Sequence, residues 1–541
     1  MKNVDPMALS LFNEIAATTV GTDAVLDSTQ AELRYGASTI DIEKRIAGAV
    51  QVSSSEQVVT LVKASREHRV PIYPVSTGKN WGYGSSLPAV DNCVVLDLSG
   101  MKRILSVDQQ SGIAIVEPGV TQQALREYLD AHSLNFLCPV TGAGPTCSIV
   151  GNALERGYGI TPHADHFLSI MSLKAVLPDG SLYEPPLAAA GCEQVDQLFK
   201  WGVGPFMDGL FTQSAFGIVT QMSIALAPRP DVVNGFFFAV KQDSDLEEVV
   251  SAVSETLADA GGVLGSINLM NSRRVISMME SYPGEHLNAD GIVDADYLES
   301  TAKRHQVMPW MGAGALYGNA DIAAAARKTV KRRLSGKVKR LLFFSPQSVA
   351  RYHRLSHFLP FEFGRGIENL FGTLTKTLSI LSGAPSTVAL PLAYWKGGEL
   401  PPDGQAFNPA ADGCGLIWYS PLVPMDPSVV RAFIDMVHRV CSEHSVEPLI
   451  TMTSLSERCF DSTVPLLFNP KEPGATDRTH ACYRALLLAG RELGCTPYRA
   501  PISDMQSFVN PQAPYWKMVD MIKTGLDPDG LLSPGRYSLE P

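Results

Sequence analysis

Across roughly the first 230 residues, short β-branched runs alternate with amphipathic stretches, and this alternation limits the available folds more than any other feature. SSEQVVTLVKASREHRV sets Val58, Val59, Leu61 and Val62 at helical spacing before a basic end, which predicts a helix. PIYPVS, CVVLDLS (93–99), RILSVD and GIAIVEPG predict strands, and QQALREYLDAHSL predicts another helix. In SIMSLKAVLPDGSLYE, Pro178, Asp179 and Gly180 supply turn chemistry between two apolar runs, so a hairpin is expected. GIVTQMSIALAP (217–228) predicts a further strand closed by Pro228. Such an order suits neither a helix bundle nor an all-β sandwich; it calls for mixed helices and sheets.

Beyond about residue 235 the pattern changes to long amphipathic segments, DLEEVVSAVSETLADAGG and PSVVRAFIDMVHRVCSEH, joined to short strands such as GFFFAV and GLIWYS. A domain boundary is placed there. The end, TGLDPDGLLSPGRYSLEP, is punctuated by Gly and Pro and reads as an irregular segment laid over another domain. In 541 residues, 45% are hydrophobic and 18% charged, a globular composition far from that of a disordered chain. The net charge of −11 has the wrong sign for a general polyanion binder, so nucleic acid is not an expected partner. The start has no apolar run of secretory length, and no apolar stretch is long enough to span a bilayer, so a cytoplasmic location is expected. Nine scattered cysteines without a CxxC pair read as reduced, mostly buried thiols. The basic run RKTVKRRLSGKVKR (327–340) reads as a solvated helix face running into a strand, with docking of an acidic redox partner as the sharper alternative.

Chemistry concentrates in four places. The loop STGKNWGYGSS (76–86) follows a predicted strand and has the small residues that let backbone N–H groups approach a phosphate. It lacks the spacing of a P-loop, and GxGxxG is also missing, which disfavours a Rossmann nicotinamide site. Read alone, it is a turn or a cradle. PVTGAGPTCSIVGNALERGYG (139–159) brings Gly142, Gly144, Gly151 and Gly157 together with the polar triplet Asn152, Glu155 and Arg156; two such loops can bracket one diphosphate, or simply be tight turns. TPHADH places His163, Asp165 and His166 within four residues, but a metal would need ligands that no second cluster supplies, so no metal is expected and an acid/base aspartate is the better reading. Tyr498 and Arg499 pair a phenol with a guanidinium, suited to an anion or to an ordinary surface.

Taken in order, STGKNWGYGSS, GAGPTCSIVGNALERGYGITPHADH, GPFMDGLFTQSAFGIVT and DPDGLLSPGR resemble the vanillyl-alcohol oxidase and p-cresol methylhydroxylase family of FAD enzymes. The resemblance covers about 70–230 and 490–541, with a looser match at DGCGLIWYSPL (412–422). It implies an α+β, two-domain flavoprotein: an FAD-binding domain over 1–235 completed by 496–541, and an inserted α+β cap or substrate domain over 236–495. It assigns Ser76, Thr77, Gly78, Lys79 and Asn80 to the FAD diphosphate, aided by Gly142, Gly144, Gly151, Asn152, Arg156 and Gly157 and by Gly217, Ile218 and Val219. Arg536 matches the basic residue beside the flavin pyrimidine ring. Tyr83, Tyr498 and Arg499 match a site that holds a phenol as phenolate, Asp165 matches the active-site aspartate, and Trp418 matches an aromatic that lines the substrate cavity, with core packing as its bland alternative.

The implied reaction removes a hydride from the benzylic carbon of a 4-alkylphenol or 4-hydroxybenzyl alcohol, leaving a p-quinone methide, with Asp165 either the base toward water adding to it or a charge balanced against the reduced flavin. The electron acceptor is O2 or a cytochrome or other redox protein, and family precedent favours a homo-oligomer. One departure bears on flavin linkage: Cys414, Gly415, Leu416 and Ile417 stand where the oxidase branch has a tethering His, so a histidyl tether is disfavoured and a tyrosyl tether at Tyr394 or Tyr419, or noncovalent FAD, stays open. Two other readings keep the flavin: the same fold acting on a non-phenolic alcohol, hydroxy acid or biosynthetic intermediate, and a non-catalytic flavin-binding subunit, against which Asp165 argues.

Overall fold

The computed structural model describes residues 4–349, 351, 378–402 and 404–539. Contacts divide the chain into two compact units, the first comprising 1–158, 165–227 and 499–541 and the second 159–164 and 228–498. The breaks expected near 235 and 495 thus stand beside observed ones at 227/228 and 498/499, and Gly235 lies within the strand Val232–Val240.

The first unit holds two sheets. One has four strands in the order Val25–Leu26, Ile46–Gln51, Cys93–Asp97 and Ile72–Val75, with the last three parallel. Helix Ser55–His68, capped by the Ser54 hydroxyl, forms where the 3.6-residue spacing predicts it and buries Val58, Leu61 and Val62. These join Ile72, Val94, Leu96 and Leu532 in one core, and each such side chain contributes about 1.5–3 kcal/mol. The second sheet is antiparallel, ordered Ile104–Val107, Ile113–Val116, Ile218–Ala225, Ile170–Val176 and Leu182–Tyr183. In the turn that closes its hairpin, Gly180 adopts φ +82° and the Asp179 carboxylate accepts from Ser181 N (2.8 Å). The C-terminal segment is tied to the first sheet: Ile72 N–H donates to Leu531 O and Ser533 N–H to Ile72 O, each at 2.9 Å.

Among the described residues, the second unit holds a nine-stranded sheet. Its GFFFAV and GAGAL segments pair so that Phe238 faces Gly312 and Phe236 faces Gly314. A Cβ at Gly312 would lie 2.1 Å from the Phe238 ring, so glycine is what lets the aromatic rings lie across the neighbouring strand. The basic run occupies helix Ala320–Leu334 and strand Lys339–Phe344, and Arg332 and Arg333 pair with Asp259 while Lys337 pairs with Glu248. Those ion pairs support the solvated-face reading. Among the described residues no helix is long and apolar enough to cross a membrane, and the nine cysteines are unpaired thiols, Cys192 being the exposed one.

Burial pushes the Asp208 carboxyl up to about 6, although it accepts a 2.5 Å hydrogen bond from the Tyr183 hydroxyl. The folded protein therefore holds this proton more tightly than the unfolded chain. Its contribution to stability is fully present below about pH 4 and is lost as pH rises to about 6. Asp208→Asn is expected to flatten that part of the unfolding-midpoint profile and to raise stability at pH 7 by about 1–3 kcal/mol; an unchanged profile would show that another group dominates.

Candidate active site

The first glycine-rich loop leaves strand Ile72–Val75 and turns at once. Gly78 sits at φ +67°, and a Cβ there would lie 2.0 Å from Ser86 Oγ. Asn80 O accepts from Tyr83 N (3.2 Å) and Ser85 N (3.1 Å), which closes the WGYG turn. Gly84, at φ +126°, leaves room for Ile502, whose N–H donates to Tyr83 O at 3.0 Å. Residues 499–502 are thereby docked on the loop, and the Arg499 guanidinium carbon lies 3.8 Å from the centre of the Tyr83 ring. Two residues singled out from the sequence, 416 positions apart, are thus in contact.

The second glycine-rich loop lies against the first. Ser148 N–H donates to Thr77 Oγ1 at 3.0 Å, and the Trp81 indole N–H donates to Ala143 O at 3.2 Å. Ser148 Oγ donates to Pro118 O and accepts from Gly151 N, fixing the start of helix Ile149–Leu154. A Cβ on Gly151 would lie 2.3 Å from Ser76 Oγ, so a side chain at 151 would have to displace the Ser76 hydroxyl from where the two loops meet. Gly144, at φ +97°, turns the chain between Gly142 and that helix. Ser85 Oγ and Ser214 Oγ are buried without a hydrogen-bond partner among the described residues, as expected of donors waiting on a ligand. The half-buried Lys79 ammonium lies 5.2 Å from the Trp81 ring centre, and burial lowers its pKa. Backbone turns, unpaired hydroxyls and a cation fit a bound diphosphate. Gly151→Ala is expected to cost most of the bound flavin, measured as absorbance at 450 nm per chain after gel filtration, with Ser76→Ala on the same chain restoring it; full occupancy in the single variant would refute the close approach.

Other predicted residues are placed differently. Asn152 Nδ2 meets His166 Nδ1 at 2.6 Å, and the exposed Arg156 side chain donates to Thr212 Oγ1 at 2.9 Å, so these side chains are engaged with protein. Gly157 is required by Asn152, whose amide would lie 2.0 Å from an added Cβ. Gly217 lies beneath the Phe211 ring, and Ile218 and Val219 are buried members of the antiparallel sheet, which leaves their backbone as what they present. Asp165 bridges to Tyr158 in the first unit, and its carboxylate accepts from Leu168 N at 2.9 Å. In the second unit, Trp418 is the one half-buried residue of strand Gly415–Tyr419 and stands opposite Pro465. Tyr498 is the last residue of the second unit and adjoins Arg499 in the chain.

Arg536 carries a partner that sequence reasoning missed. Its guanidinium pairs with Glu155 and donates to the Tyr73 hydroxyl at 3.3 Å. Burial disfavours its charge, but the Glu155 carboxylate and the Tyr73 phenol overcome this and raise its pKa. The pair has no net charge, so Arg536 presents N–H donors here rather than an unbalanced positive charge. Of the two tyrosines considered for a tether, Tyr419 is fully buried and donates to Leu486 O at 2.9 Å, and Tyr394 donates to Asp412 Oδ2 at 2.5 Å.

Two glycine-rich loops in contact, closed by a returning C-terminal segment and accompanied by a second α+β unit, define a flavoprotein. The FAD binding domain family matches residues 46–184. The 1'-carboxy-chondrochloren decarboxylase of Chondromyces crocatus is 33% identical over 99% of this chain and 98% of its own. The 4-cresol dehydrogenase [hydroxylating] flavoprotein subunit of Pseudomonas putida is 26% identical over 96% and 94%. Among solved structures, p-cresol methylhydroxylase with substrate bound superposes with a TM-score of 0.87 at 24% identity, covering 100% and 98% of the two chains. The 4-ethylphenol oxidase of Gulosibacter chungangensis does so with 0.87 at 20%, covering 100% and 99%. The chain belongs to the vanillyl-alcohol oxidase and p-cresol methylhydroxylase family, and is an FAD-dependent oxidoreductase.

Proposed function

We propose that the protein removes a hydride from the benzylic carbon of a para-substituted phenol. The observation that supports this reading is the stacking of Arg499 on Tyr83 of the first glycine-rich loop. Free phenols ionise near pH 10, so at neutral pH only about one molecule in 1000 is phenolate. The guanidinium of Arg499 and the hydroxyls of Tyr83 and Tyr498 would hold the ionised form by opposite charge and charge-assisted hydrogen bonds. Electron density from the phenolate then reaches the para carbon and weakens the benzylic C–H bond. Bound FAD, held by 76–80, 142–157 and 217–219 with Arg536 beside it, supplies the two-electron acceptor. The product is a p-quinone methide, and Asp165 would serve as the base that takes a proton from the water adding to it. In the cell the acceptor of the electrons is O2 or a redox protein.

A second reading has its own support, the 33% identity to a decarboxylase along nearly the whole of both chains. If the substituent carries a carboxylate on the carbon next to the benzylic one, the C–COO bond can break in place of water addition. Its electron pair refills the quinone methide, CO2 leaves, and an alkenyl phenol results. Both readings share the hydride step. The test is anaerobic mixing of the holoenzyme with 4-ethylphenol, 4-hydroxybenzyl alcohol and 3-(4-hydroxyphenyl)propionate, following flavin absorbance and analysing products. Bleaching by the first two supports hydroxylation or oxidation; bleaching by the acid with CO2 release supports decarboxylation. Persistent yellow with all three would assign the flavin to a non-phenolic substrate.

A further inference from the structure

We infer that Arg274, at one end of the open face of the second unit's sheet, binds the carboxylate of an aryl acid substrate. The inference rests on the phenol reading above and adds the class of substituent that the phenol carries. Side chains alternate between the two faces of a strand. Leu269, Met452, Phe460 and Ile417 share one face of the sheet and are buried. On the other face Asn268 stands beside Thr453, Met270 stands beside Thr451 and through it Thr463, and Trp418 stands opposite Pro465 one row further on. Asn268, Met270, Thr463 and Trp418 are half-buried, so this face is the open one. Strand Asn268–Asn271 runs toward the Trp418 row and passes directly into helix Ser272–Ile276, which bears Arg274. The Asn268 side-chain oxygen is buried without a hydrogen-bond partner among the described residues, so the open face holds a polar group that the protein itself does not satisfy.

Arg274 is a cation without an acid. Its neighbour Arg273 donates to the Glu447 carboxylate at 3.0 Å and to Val293 O at 2.9 Å. Glu280, on the segment that follows the helix, is engaged by Arg304 at 2.9 Å and His305 at 2.5 Å. Among the described residues Arg274 pairs with no carboxylate, and its guanidinium makes one long hydrogen bond, to Ser277 Oγ at 3.4 Å. Arg536 is also buried, yet Glu155 raises its pKa; burial alone acts on Arg274 and lowers its pKa to about 10. Arg274 therefore stays charged at neutral pH, with part of its hydration lost and no counter-charge gained. A carboxylate brought in by a ligand supplies that counter-charge through two parallel N–H···O bonds. The Trp418 indole and this guanidinium, at the same end of one open face, match a ring and an acid in a single molecule. The second reading above needs such an acid on the substituent. Because the ion pair is lost when CO2 leaves, Arg274 selects the acid and does not speed the C–C cleavage.

The test mixes the holoenzyme and its Arg274→Gln and Arg274→Lys variants anaerobically with 3-(4-hydroxyphenyl)propionate and with 4-ethylphenol over a range of concentrations. Arg274→Gln is expected to raise the half-saturating concentration of the acid about 100-fold, the usual loss of a charge-assisted pair, with a far smaller change for 4-ethylphenol. The limiting rate of bleaching by the acid should change little, since the carboxylate is held alike before and during hydride transfer. Arg274→Lys keeps the charge and is expected to recover part of the affinity. Comparing two substrates on one variant cancels any general loss of folded flavoprotein. An Arg274→Gln enzyme that keeps the wild-type preference between the two compounds, or a wild type that binds the acid no more tightly than 4-ethylphenol, would overturn the assignment. The hydride reading fails separately: if neither compound bleaches the wild type, dissociation constants taken from the shift each causes in the flavin spectrum still decide the role of Arg274, and the absence of any shift with the acid would overturn it.

Discussion

Arg499→Ala is expected to slow anaerobic oxidation of a 4-alkylphenol at pH 7 by about 100- to 1000-fold, the usual loss when a charge that stabilises a developing anion is removed from a dry site. The shape of the pH profile separates this role from a merely structural one. On the proposed role, the guanidinium would hold the substrate ionised well below its free pKa near 10. Without it, the rate depends on phenolate already formed in solution and should rise about tenfold per pH unit until pH approaches 10. Arg499→Lys keeps the charge but loses the planar face that lies on Tyr83, so an intermediate rate is expected. Stopped-flow bleaching between pH 6 and 10 makes the comparison. A variant uniformly slow at all pH values would mean that Arg499 positions Tyr83 and residues 500–502 rather than ionising substrate.

Asp527→Ala should destabilise the protein by about 3–5 kcal/mol, the cost of leaving a buried charge without its partner. Lys523 is the one buried residue of helix Pro514–Leu526. Its ammonium donates to Asp527 at 2.6 Å, to Leu532 O at 2.8 Å and to Ala215 O at 2.9 Å, while Asp527 also accepts from Leu531 N and Leu532 N. Burial lowers the Lys523 pKa, and the Asp527 carboxylate opposes that shift. This network pins the segment that carries Leu532 into the core. Lys523→Met combined with Asp527→Leu removes both charges and should recover part of the loss. Urea midpoints measure both effects; a single variant as stable as wild type would show that the tail is held by its backbone bonds to Ile72 alone.

These two predictions draw on different amounts of what the sequence discloses. Strands Ile72–Val75, Cys93–Asp97 and Ile218–Ala225 and helix Ser55–His68 follow from local periodicity, which each residue run carries within itself. The two glycine loops were visible as compositions, but their contact through Ser148 N and Thr77 Oγ1 joins residues 71 positions apart and leaves no periodic trace. The same holds for Glu155 and Arg536, 381 positions apart: an acid in a polar triplet gives no sign of which cation it meets. The boundary near 235 followed a change in composition, whereas the strand containing Gly235 already belongs to the second unit. Residues 159–164 are harder still, since Ile160 joins Val233, Ala315, Tyr317 and Leu381 in the second unit although Asp165 begins the return to the first. Tyr83 and Arg499 are linked in the sequence only through the motifs that carry them, not through composition.

The central claim is that a C–H bond next to a phenol ring is the bond that breaks. Its most direct test is single-turnover bleaching of the flavin, under anaerobic conditions, by 4-ethylphenol carrying deuterium at the benzylic carbon, compared with the unlabelled compound. The account predicts severalfold slower bleaching with the labelled phenol and no change when deuterium is placed on the ring. Equal rates for labelled and unlabelled substrate, or no bleaching by either, would contradict it.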